Sequence, residues 1–254
     1  MAGILLSGCN GKMGRAVTMN VAVTKDCSIV GGIDIFAEKL YDYPVFGSPA
    51  LIPEDIIAKT DVIIDFSNPS ALGGLLEFAV KHGKPAVICT TGLNDSQKAL
   101  IKSAAEKIPV FFSANMSLGV NLISELAKKA AKVLGDSFDI EIVEMHHNQK
   151  IDAPSGTALM IADAIKEELG GDINYEYDRQ SKREKRTKNE IGIHAVRGGT
   201  ITGEHEIIFA GHDEIIKISH SARSKELFAT GAVNAALFIC GKEAGLYDMS
   251  AMLK

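Results

Sequence analysis

The sequence predicts an α/β protein in which an N-terminal doubly wound parallel sheet is followed by an α+β domain with a mixed, largely antiparallel sheet. In the first half, short apolar runs alternate with helical stretches, which is typical of a parallel sheet flanked by helices. From about residue 116 the pattern changes to longer amphipathic helices and alternating strands. We therefore expect two domains, at residues 1–116 and 117–224, with the C-terminal helical region 225–254 completing the first.

Five apolar runs predict the strands of the first sheet. Their near-continuous apolar character indicates strands that are buried on both faces. The runs occupy residues 3–8, 28–34, 61–67, 85–90 and 109–115. Between them, helices are predicted at residues 71–82 and 94–107, the second with Asn94 as its N-cap.

The second half predicts two amphipathic helices, at residues 118–134 and 156–169, with a strand at 138–147 between them. The charged, apolar-poor run 178–190 predicts an exposed, solvated loop rather than a surface for an acidic partner. Three segments after it, at 191–199, 203–210 and 214–222, predict an antiparallel meander. A last helix is expected at 225–240.

Composition and charge narrow the function classes. No apolar run approaches the roughly 20 residues of a membrane span, and a formal net charge of -5 argues against nucleic acid as the main partner. Cys9, Cys27, Cys89 and Cys240 are widely spaced, so we expect buried thiols rather than disulfides or a zinc site. Because Met1 leads almost directly into the first strand, no targeting peptide is expected, and a reducing cytoplasm fits.

A glycine-rich loop, GCNGKMG at residues 8–14, follows the first strand and opens a helix. This is the context of a dinucleotide-binding loop, in which glycines let the backbone turn tightly and approach a pyrophosphate at the helix N-terminus. The spacing is GxxGxxG rather than the commoner GxGxxG. A P-loop is disfavoured because Met13 stands where Ser or Thr should hold the metal. A simple tight turn remains the alternative to a Rossmann-type nucleotide site.

An acidic residue at the end of the second predicted strand supports the nucleotide interpretation. Asp34 can accept hydrogen bonds from the adenosine ribose hydroxyls. Ile35 and Phe36 follow it, so no cation stands immediately there for a 2'-phosphate. The sequence therefore favours NADH over NADPH, although Lys12 and Lys39 remain within possible reach of such a phosphate.

Small polar residues end the fourth and fifth predicted strands, in CTTG at 89–92 and SANMS at 113–117. Ligands of open α/β sheets bind at the carboxyl ends of the strands, where these residues suit a nicotinamide and its ribose. Ordinary strand-to-helix turns would use the same residue types.

The stretch EMHHNQKIDAPSGTAL at residues 144–159 combines a proton donor with two anion-binding features. His146 or His147 can donate a proton near neutral pH, and Lys150 supplies a fixed positive charge for a carboxylate. The SGT turn opens the next helix, whose first backbone N–H groups can bind an anion. Because neighbouring side chains on a strand point to opposite faces, both histidines can face one site only if the strand ends there. The stretch predicts a site for a substrate with more than one carboxylate.

Together these motifs resemble the 4-hydroxy-tetrahydrodipicolinate reductase family, also called dihydrodipicolinate reductase, of bacterial lysine biosynthesis. The resemblance runs along the whole chain, through GCNGKMG, IDFSNP, TTG, SANMSLGVN, EMHHNQKIDAPSGTAL, HAVRGGTITGEHEIIFAG and ATGAVNAALFI. It implies a cytoplasmic enzyme that reduces a cyclic dicarboxylate with NADH or NADPH in the diaminopimelate pathway.

The resemblance also implies the site residues. The cofactor would contact Gly8, Cys9, Asn10, Gly11, Lys12, Met13, Asp34, Cys89, Thr90, Thr91, Ser113, Ala114, Asn115 and Met116. His146 would be the proton donor and Lys150 a second catalytic group, while the substrate would be held by His147, Lys150, Ser155, Gly156 and Thr157. No metal is implied. The family's usual homotetramer, built from the sheet of the second domain, is expected here as well.

Two positions depart from the family pattern. Cys89 stands where a glycine usually precedes TTG, and Ile35 stands where an arginine of some members meets the 2'-phosphate. Two alternatives stay open. One is another Rossmann reductase of aspartate-family metabolism, such as a semialdehyde or homoserine dehydrogenase. A semialdehyde dehydrogenase would need a nucleophilic cysteine, and no cysteine lies near the histidine-lysine cluster in the sequence. The other is a nicotinamide-sensing regulator without catalysis, which would need a DNA-binding segment, and the sequence shows no helix-turn-helix before the glycine loop.

Overall fold

The computed structural model describes residues 1–253, which form two compact units. One unit comprises Met1–Ser117 together with the chain from Glu226 onward, and the other is Leu118–Lys225. The strands are β1 (Ala2–Ser7), β2 (Cys27–Ile33), β3 (Val45–Phe46), β4 (Val62–Asp65), β5 (Ala86–Ile88), β6 (Pro109–Phe112), β7 (Asp139–His146), β8 (Asn174–Glu176), β9 (Glu190–Arg197), β10 (Gly203–Ala210), β11 (Ile215–Ala222) and β12 (Gly245–Tyr247). The α-helices are α1 (Lys12–Val23), α2 (Glu54–Lys59), α3 (Leu72–Lys81), α4 (Asp95–Ala105), α5 (Leu118–Leu134), α6 (Gly156–Leu169), α7 (Glu226–Ile239) and α8 (Met249–Met252).

The first unit is built on a seven-stranded parallel sheet in the order β12-β6-β5-β4-β1-β2-β3. Successive side chains of β1 enter opposite cores: Ile4 packs with α1 and α7, and Leu5 packs with α3 and α4. Because both faces of the sheet are covered, its central strands consist of buried apolar residues. The predicted doubly wound parallel fold is therefore confirmed.

The predicted elements of this unit are present within a few residues of their expected ends. Asn94 caps α4 as predicted, since its side chain accepts from the Gln97 backbone N–H and the Gln97 side chain accepts from the Asn94 backbone N–H. Four elements were not predicted: the edge strands β3 and β12, the six-residue helix α2 and the four-residue helix α8. Each is too short to carry a periodic pattern.

The second unit contains a five-stranded mixed sheet in the order β11-β10-β7-β9-β8. The pairs β7–β10 and β10–β11 are antiparallel, while β7–β9 and β8–β9 are parallel. The prediction of a three-stranded meander is wrong for β9, because β7 lies between β9 and β10. Since α6 carries the chain across the sheet after β7, the return places β9 parallel to β7. The helices α5 and α6 share one apolar core with the sheet.

The charged run is exposed over residues 181–185 but anchored at Arg186. Arg186 donates to Asp139 and Glu141 and to the carbonyls of Ile140 and Glu190. These partners belong to β7 and β9, so the run is tied to its own sheet rather than being a freely solvated loop.

Within residues 1–253 no helix has the combination of length and apolar character that a bilayer crossing requires. The four cysteines are free thiols, and three of them, Cys9, Cys27 and Cys89, are buried, whereas Cys240 is half-buried. Burial raises the pKa of the Cys9 thiol to about 11 and that of Cys89 well above its usual value. Such thiols are poor nucleophiles, which disfavours cysteine-based catalysis.

Candidate active site

The glycine loop of the first unit has the conformation that its residue types predict. Gly8 has a φ of +76°, and a Cβ there would lie 2.5 Å from the carbonyl oxygen of Phe66. A Cβ at Gly14 would lie 2.2 Å from the carbonyl oxygen of Gly8, while Gly11 is the N-cap of α1. The loop can therefore bring its backbone and the N-terminus of α1 close to a ligand, and both features fit a pyrophosphate.

Asn10 and Asp34 hold the glycine loop against the segment that follows β2. The Asp34 carboxylate accepts from the backbone N–H of Asn10 and from that of Phe36, at 3.0 Å each. The Asn10 side chain donates to the carbonyls of Phe36 and Glu38, at 2.7 and 3.0 Å. Asp34 is thus fixed beside the loop, where a ribose hydroxyl can donate to its remaining lone pairs. The bracing role of Asn10 was not predicted.

A buried carboxylate joins the ends of β4 and β5. Asp65 is fully buried, and it accepts from the hydroxyl of Ser67 at 2.5 Å and from that of Thr90 at 2.7 Å. The Thr90 side chain therefore faces the interior, whereas Thr91 is exposed. Sequence reasoning missed Asp65 because an acidic residue at a strand end is usually solvated.

The remaining predicted cofactor residues differ in how far their side chains are exposed to solvent. The side chains of Cys9, Cys89 and Met116 are buried, so they can offer a ligand only their backbone. Those of Lys12 and Ala114 are exposed, and those of Met13, Ser113 and Asn115 are half-buried. Near β6, the Ser113 hydroxyl donates to the carbonyl of Asn115, and a Cβ at Gly231 of α7 would lie 1.7 Å from the carbonyl of Met116.

In the second unit, the alternation of β7 places Glu144 and His146 on its buried face. Glu144 has no exposed side-chain surface, and its carboxylate accepts four hydrogen bonds. Arg197 donates to both oxygens, at 2.7 and 2.8 Å, and the backbone N–H of Ser155 donates at 3.0 Å. The fourth partner is Nδ1 of His146, at 2.6 Å. Burial raises the pKa of Glu144, but these hydrogen bonds outweigh it and hold the pKa below its usual value.

The His146 ring has a defined protonation pattern because an ionised carboxylate can only accept. Nδ1 therefore carries a proton toward Glu144, and in the neutral ring Nε2 carries the lone pair. Burial lowers the pKa of His146, and the hydrogen bond that its Nδ1–H donates to Glu144 opposes this shift without cancelling it. The ring packs edge-on against His205, and a Cβ at Gly203 would lie 3.1 Å from Nε2, so glycine leaves room there.

The chain after β7 turns sharply and carries Lys150. The Lys150 backbone N–H donates to the carbonyl of His147, and its ammonium lies 2.8 Å from the Asp152 carboxylate. Since β7 ends at His146, the condition that allows both histidines to face one site is met. His147 is half-buried. An incoming carboxylate can take the place of Asp152, whose side chain is 59% exposed.

The SGT turn begins α6 as predicted, but the structure gives Ser155 a different role from substrate binding. Ser155 is buried, its hydroxyl accepts from the Ala158 backbone N–H and lies 3.0 Å from His205 Nε2, and its own N–H is used by Glu144. Gly156 is exposed, with open space where a Cβ would point, and Thr157 is half-buried. Ser155 therefore holds the helix start in place, and the next two residues are those nearer to solvent.

Sequence reasoning missed Glu144, Arg197 and His205. The signal was present, because Glu144 stands two residues before His146 and so shares its face of the strand. Among residues 1–253, no group of three or more His, Cys, Asp or Glu side chains is arranged to hold a metal ion. The expectation that no metal is needed stays a prediction.

Family models match both units. Residues 2–116 match the N-terminal region of dihydrodipicolinate reductase, and residues 119–253 match its C-terminal region. A 4-hydroxy-tetrahydrodipicolinate reductase of Caldanaerobacter subterraneus is 50% identical over 254 residues, covering 100% of this chain and 99% of the relative. One from Clostridium tetani is 48% identical, covering 100% and 97%.

Solved structures agree. A dipicolinate-bound dihydrodipicolinate reductase from Paenisporosarcina sp. TG-14 superimposes with a TM-score of 0.78 at 28% identity, covering 98% of this chain and 97% of that one. A diaminopimelate dehydrogenase from C. glutamicum shares only the fold, with a TM-score of 0.57 at 12% identity, covering 98% of this chain and 92% of that one. Neither a different Rossmann reductase nor a regulator without catalysis is favoured. The chain belongs to the dihydrodipicolinate reductase family and is an oxidoreductase.

Proposed function

We propose that this chain reduces 4-hydroxy-tetrahydrodipicolinate, with loss of its hydroxyl as water, or dihydrodipicolinate, to tetrahydrodipicolinate in the diaminopimelate pathway to lysine. Family membership over both units supports the reaction class. The observation that carries the site assignment is the combination, in the second unit, of a buried histidine held by a carboxylate, a lysine four residues later and a helix start. NADH or NADPH supplies the hydride when bound.

The roles that we assign follow from the charges of the residues. His146 gives a proton to the ring atom that becomes basic on reduction. Lys150 binds one substrate carboxylate in exchange for Asp152, while His147 and the α6 start at Gly156 and Thr157 hold the other. These contacts to the two carboxylates would hold the ring in one orientation, and such positioning lowers the barrier of the reaction.

NADH is the proposed preferred cofactor. The Asp34 carboxylate can accept from ribose hydroxyls, whereas a 2'-phosphate beside it would meet like charge. Ile35 and Phe36, 84% and 73% exposed, add no cation there. Lys12 and Lys39 are the groups through which NADPH could still bind.

The cytoplasm remains the proposed location and a homotetramer the proposed assembly. The sheet of the second unit has an outer face on which β11 alternates exposed and half-buried residues, including Ile215 at 63% exposure. Light scattering at several protein concentrations tests the assembly, since a monomer at all of them would contradict it.

The proposed function is tested by following NADH oxidation optically, with the substrate generated in place by the preceding synthase from pyruvate and aspartate semialdehyde. His146→Gln should lower kcat by about 10²- to 10⁴-fold with NADH affinity unchanged, because only proton transfer is lost. Lys150→Ala should raise KM for the substrate and lower kcat.

The control is His212→Gln, which replaces a histidine whose side chain is 97% exposed, and it should behave as the wild type. A wild type that oxidises no NADH would contradict the reaction. Equal losses of NADH affinity in the His146 and Lys150 variants would contradict the roles given to these residues.

A further inference from the structure

Glu144 is the anion in direct contact with the His146 ring. Its carboxylate offers about four acceptor positions, and all four are filled: two by Arg197, one by the Ser155 N–H and one by His146 Nδ1. A fully buried carboxylate with four donors cannot rotate without leaving a donor unsatisfied, which costs free energy. The ring of His146 is therefore fixed through Nδ1.

Arg197 ties this pair to the loop that carries Lys150. It is the last residue of β9, in register with His146 on β7, and one of its terminal nitrogens also donates to the carbonyl of Asp152 at 2.7 Å. The Nη2 group of Arg197 thus bridges the Glu144 carboxylate and the Lys150–Asp152 segment, while Nη1 donates to Glu144 and to the Val196 carbonyl. A planar, bidentate guanidinium suits such a contact better than a lysine would.

An anion at this place favours proton donation by His146 because it stabilises the protonated ring. With Nδ1–H directed at Glu144, Nε2 of the neutral ring holds only a lone pair, so Nε2 can donate only from the imidazolium form. The charged or titratable groups around the ring come from four elements: Glu144 on β7, Arg197 on β9, His205 on β10 and Lys150 in the loop. His220 on β11 stands in register behind His205. Of these, only Glu144 stabilises the imidazolium.

We infer that Glu144, oriented by Arg197, is a positioning residue that fixes His146 through Nδ1 and stabilises the protonated ring from which Nε2 delivers its proton. This inference rests on the proposed role of His146. A bound nicotinamide would supply the hydride for the new C–H bond, and the Nε2–H bond of His146 breaks as its proton joins the substrate. His146 is left as a neutral ring whose Nδ1–H still donates to Glu144, and solvent then returns a proton to Nε2.

The test is the pH dependence of kcat in Glu144→Gln and Arg197→Gln. Because the donor must be protonated, kcat of the wild type should fall on the alkaline side. Loss of the Glu144 charge should lower kcat by about 10- to 100-fold and move this alkaline limb to lower pH by about one unit or more. Loss of the Arg197 charge should move the limb to higher pH, because that cation disfavours the imidazolium.

The matched control is Glu141→Gln on the same strand. Glu141 also holds an arginine and a histidine, Arg186 and His194, but on the opposite face of β7. Its replacement should leave the alkaline limb in place. The KM values for substrate and cofactor should change less than kcat in the Glu144 variant, and Glu144→Asp, which keeps the charge, should restore part of kcat.

The outcomes separate the possibilities. Alkaline limbs of kcat that shift in opposite directions in Glu144→Gln and Arg197→Gln support the inference. Limbs that stay in place in both variants overturn it, since a purely structural role would change only stability. Should Glu144→Gln not fold, the direction of the shift in Arg197→Gln decides. If His146→Gln keeps the wild-type limb, the proton donor lies elsewhere, and the assignment of His146 falls together with the inference.

Discussion

The candidate sites of the two units consist of different chemical groups. The first relies on backbone: a glycine loop, a helix start and strand ends braced by Asp34 and Asp65. The second relies on charged side chains that are buried on strands, with Glu144 at their centre. We therefore expect the first site to be sensitive to added volume and the second to changes of charge. The predictions below test this contrast, from the largest expected effect to the smallest.

Adding one methyl group to the glycine loop should have the largest effect. In Gly14→Ala the new Cβ would lie 2.2 Å from the Gly8 carbonyl oxygen, so the loop and α1 must separate. We expect the free energy of unfolding to fall by about 3 kcal/mol, with loss of NADH binding. Urea denaturation and NADH fluorescence measure both.

The control is Gly73→Ala in α3, where a Cβ meets nothing within 4 Å. It should be neutral or slightly stabilising, because alanine is the better helix former. Normal stability and NADH binding in Gly14→Ala would contradict the expectation that the first site is sensitive to added volume.

The pH dependence of stability should report the buried histidines of the second unit. Burial lowers the pKa of His205 from 6.5 to about 4. Between these two pH values His205 is protonated in the unfolded chain but not in the folded one. Stability should fall as the pH drops from 6.5 to 4, by up to about 3 kcal/mol from this residue.

His205→Gln should flatten that dependence, which urea denaturation at several pH values measures. Part of it should remain, because burial also lowers the pKa of His146 and of His220. A variant with the same slope as the wild type would show that His205 is not the group responsible.

Removing one donor from Asp65 should have an intermediate effect. Thr90→Val keeps the shape of the side chain but leaves the buried carboxylate without the hydroxyl that now donates at 2.7 Å. We expect a loss of about 2 kcal/mol in the free energy of unfolding. Thr90→Ser keeps the hydroxyl and is the control; equal losses in the two variants would point to packing rather than to the hydrogen bond.

The smallest effect should come from Asp34. Asp34→Asn should weaken NADH binding by about tenfold and NADPH binding less, because the lost acceptor serves the ribose hydroxyls and the lost charge opposes the 2'-phosphate. Isothermal titration with each cofactor measures the change. Asp55→Asn, at an exposed ion pair with Lys59, is the control. Parallel losses for both cofactors would contradict the proposed NADH preference.

The sequence was sufficient to predict the long periodic helices and the backbone positions that only glycine can occupy. The helices α5 and α6 begin and end at the predicted residues because each carries several turns of amphipathic pattern. The glycine loop was predicted since only glycine fits at Gly8 and Gly14.

The remaining features depend on tertiary contacts. Which strand lies beside β9 follows from the crossover through α6, and the two-residue strand β3 has no pattern of its own. A glutamate in a strand ordinarily predicts an exposed position. Strand alternation indicates that Glu144 shares a face with His146, but the full burial of its carboxylate depends on Arg197, which lies 53 residues away along the chain.

Isotope transfer tests the central claim most directly. In a reaction with NADH that carries deuterium at both C4 positions, the product should gain a single deuterium, as measured by mass spectrometry. His146→Gln should form the same labelled product far more slowly. A product without deuterium, formed while NADH is consumed, would contradict the reduction that we propose.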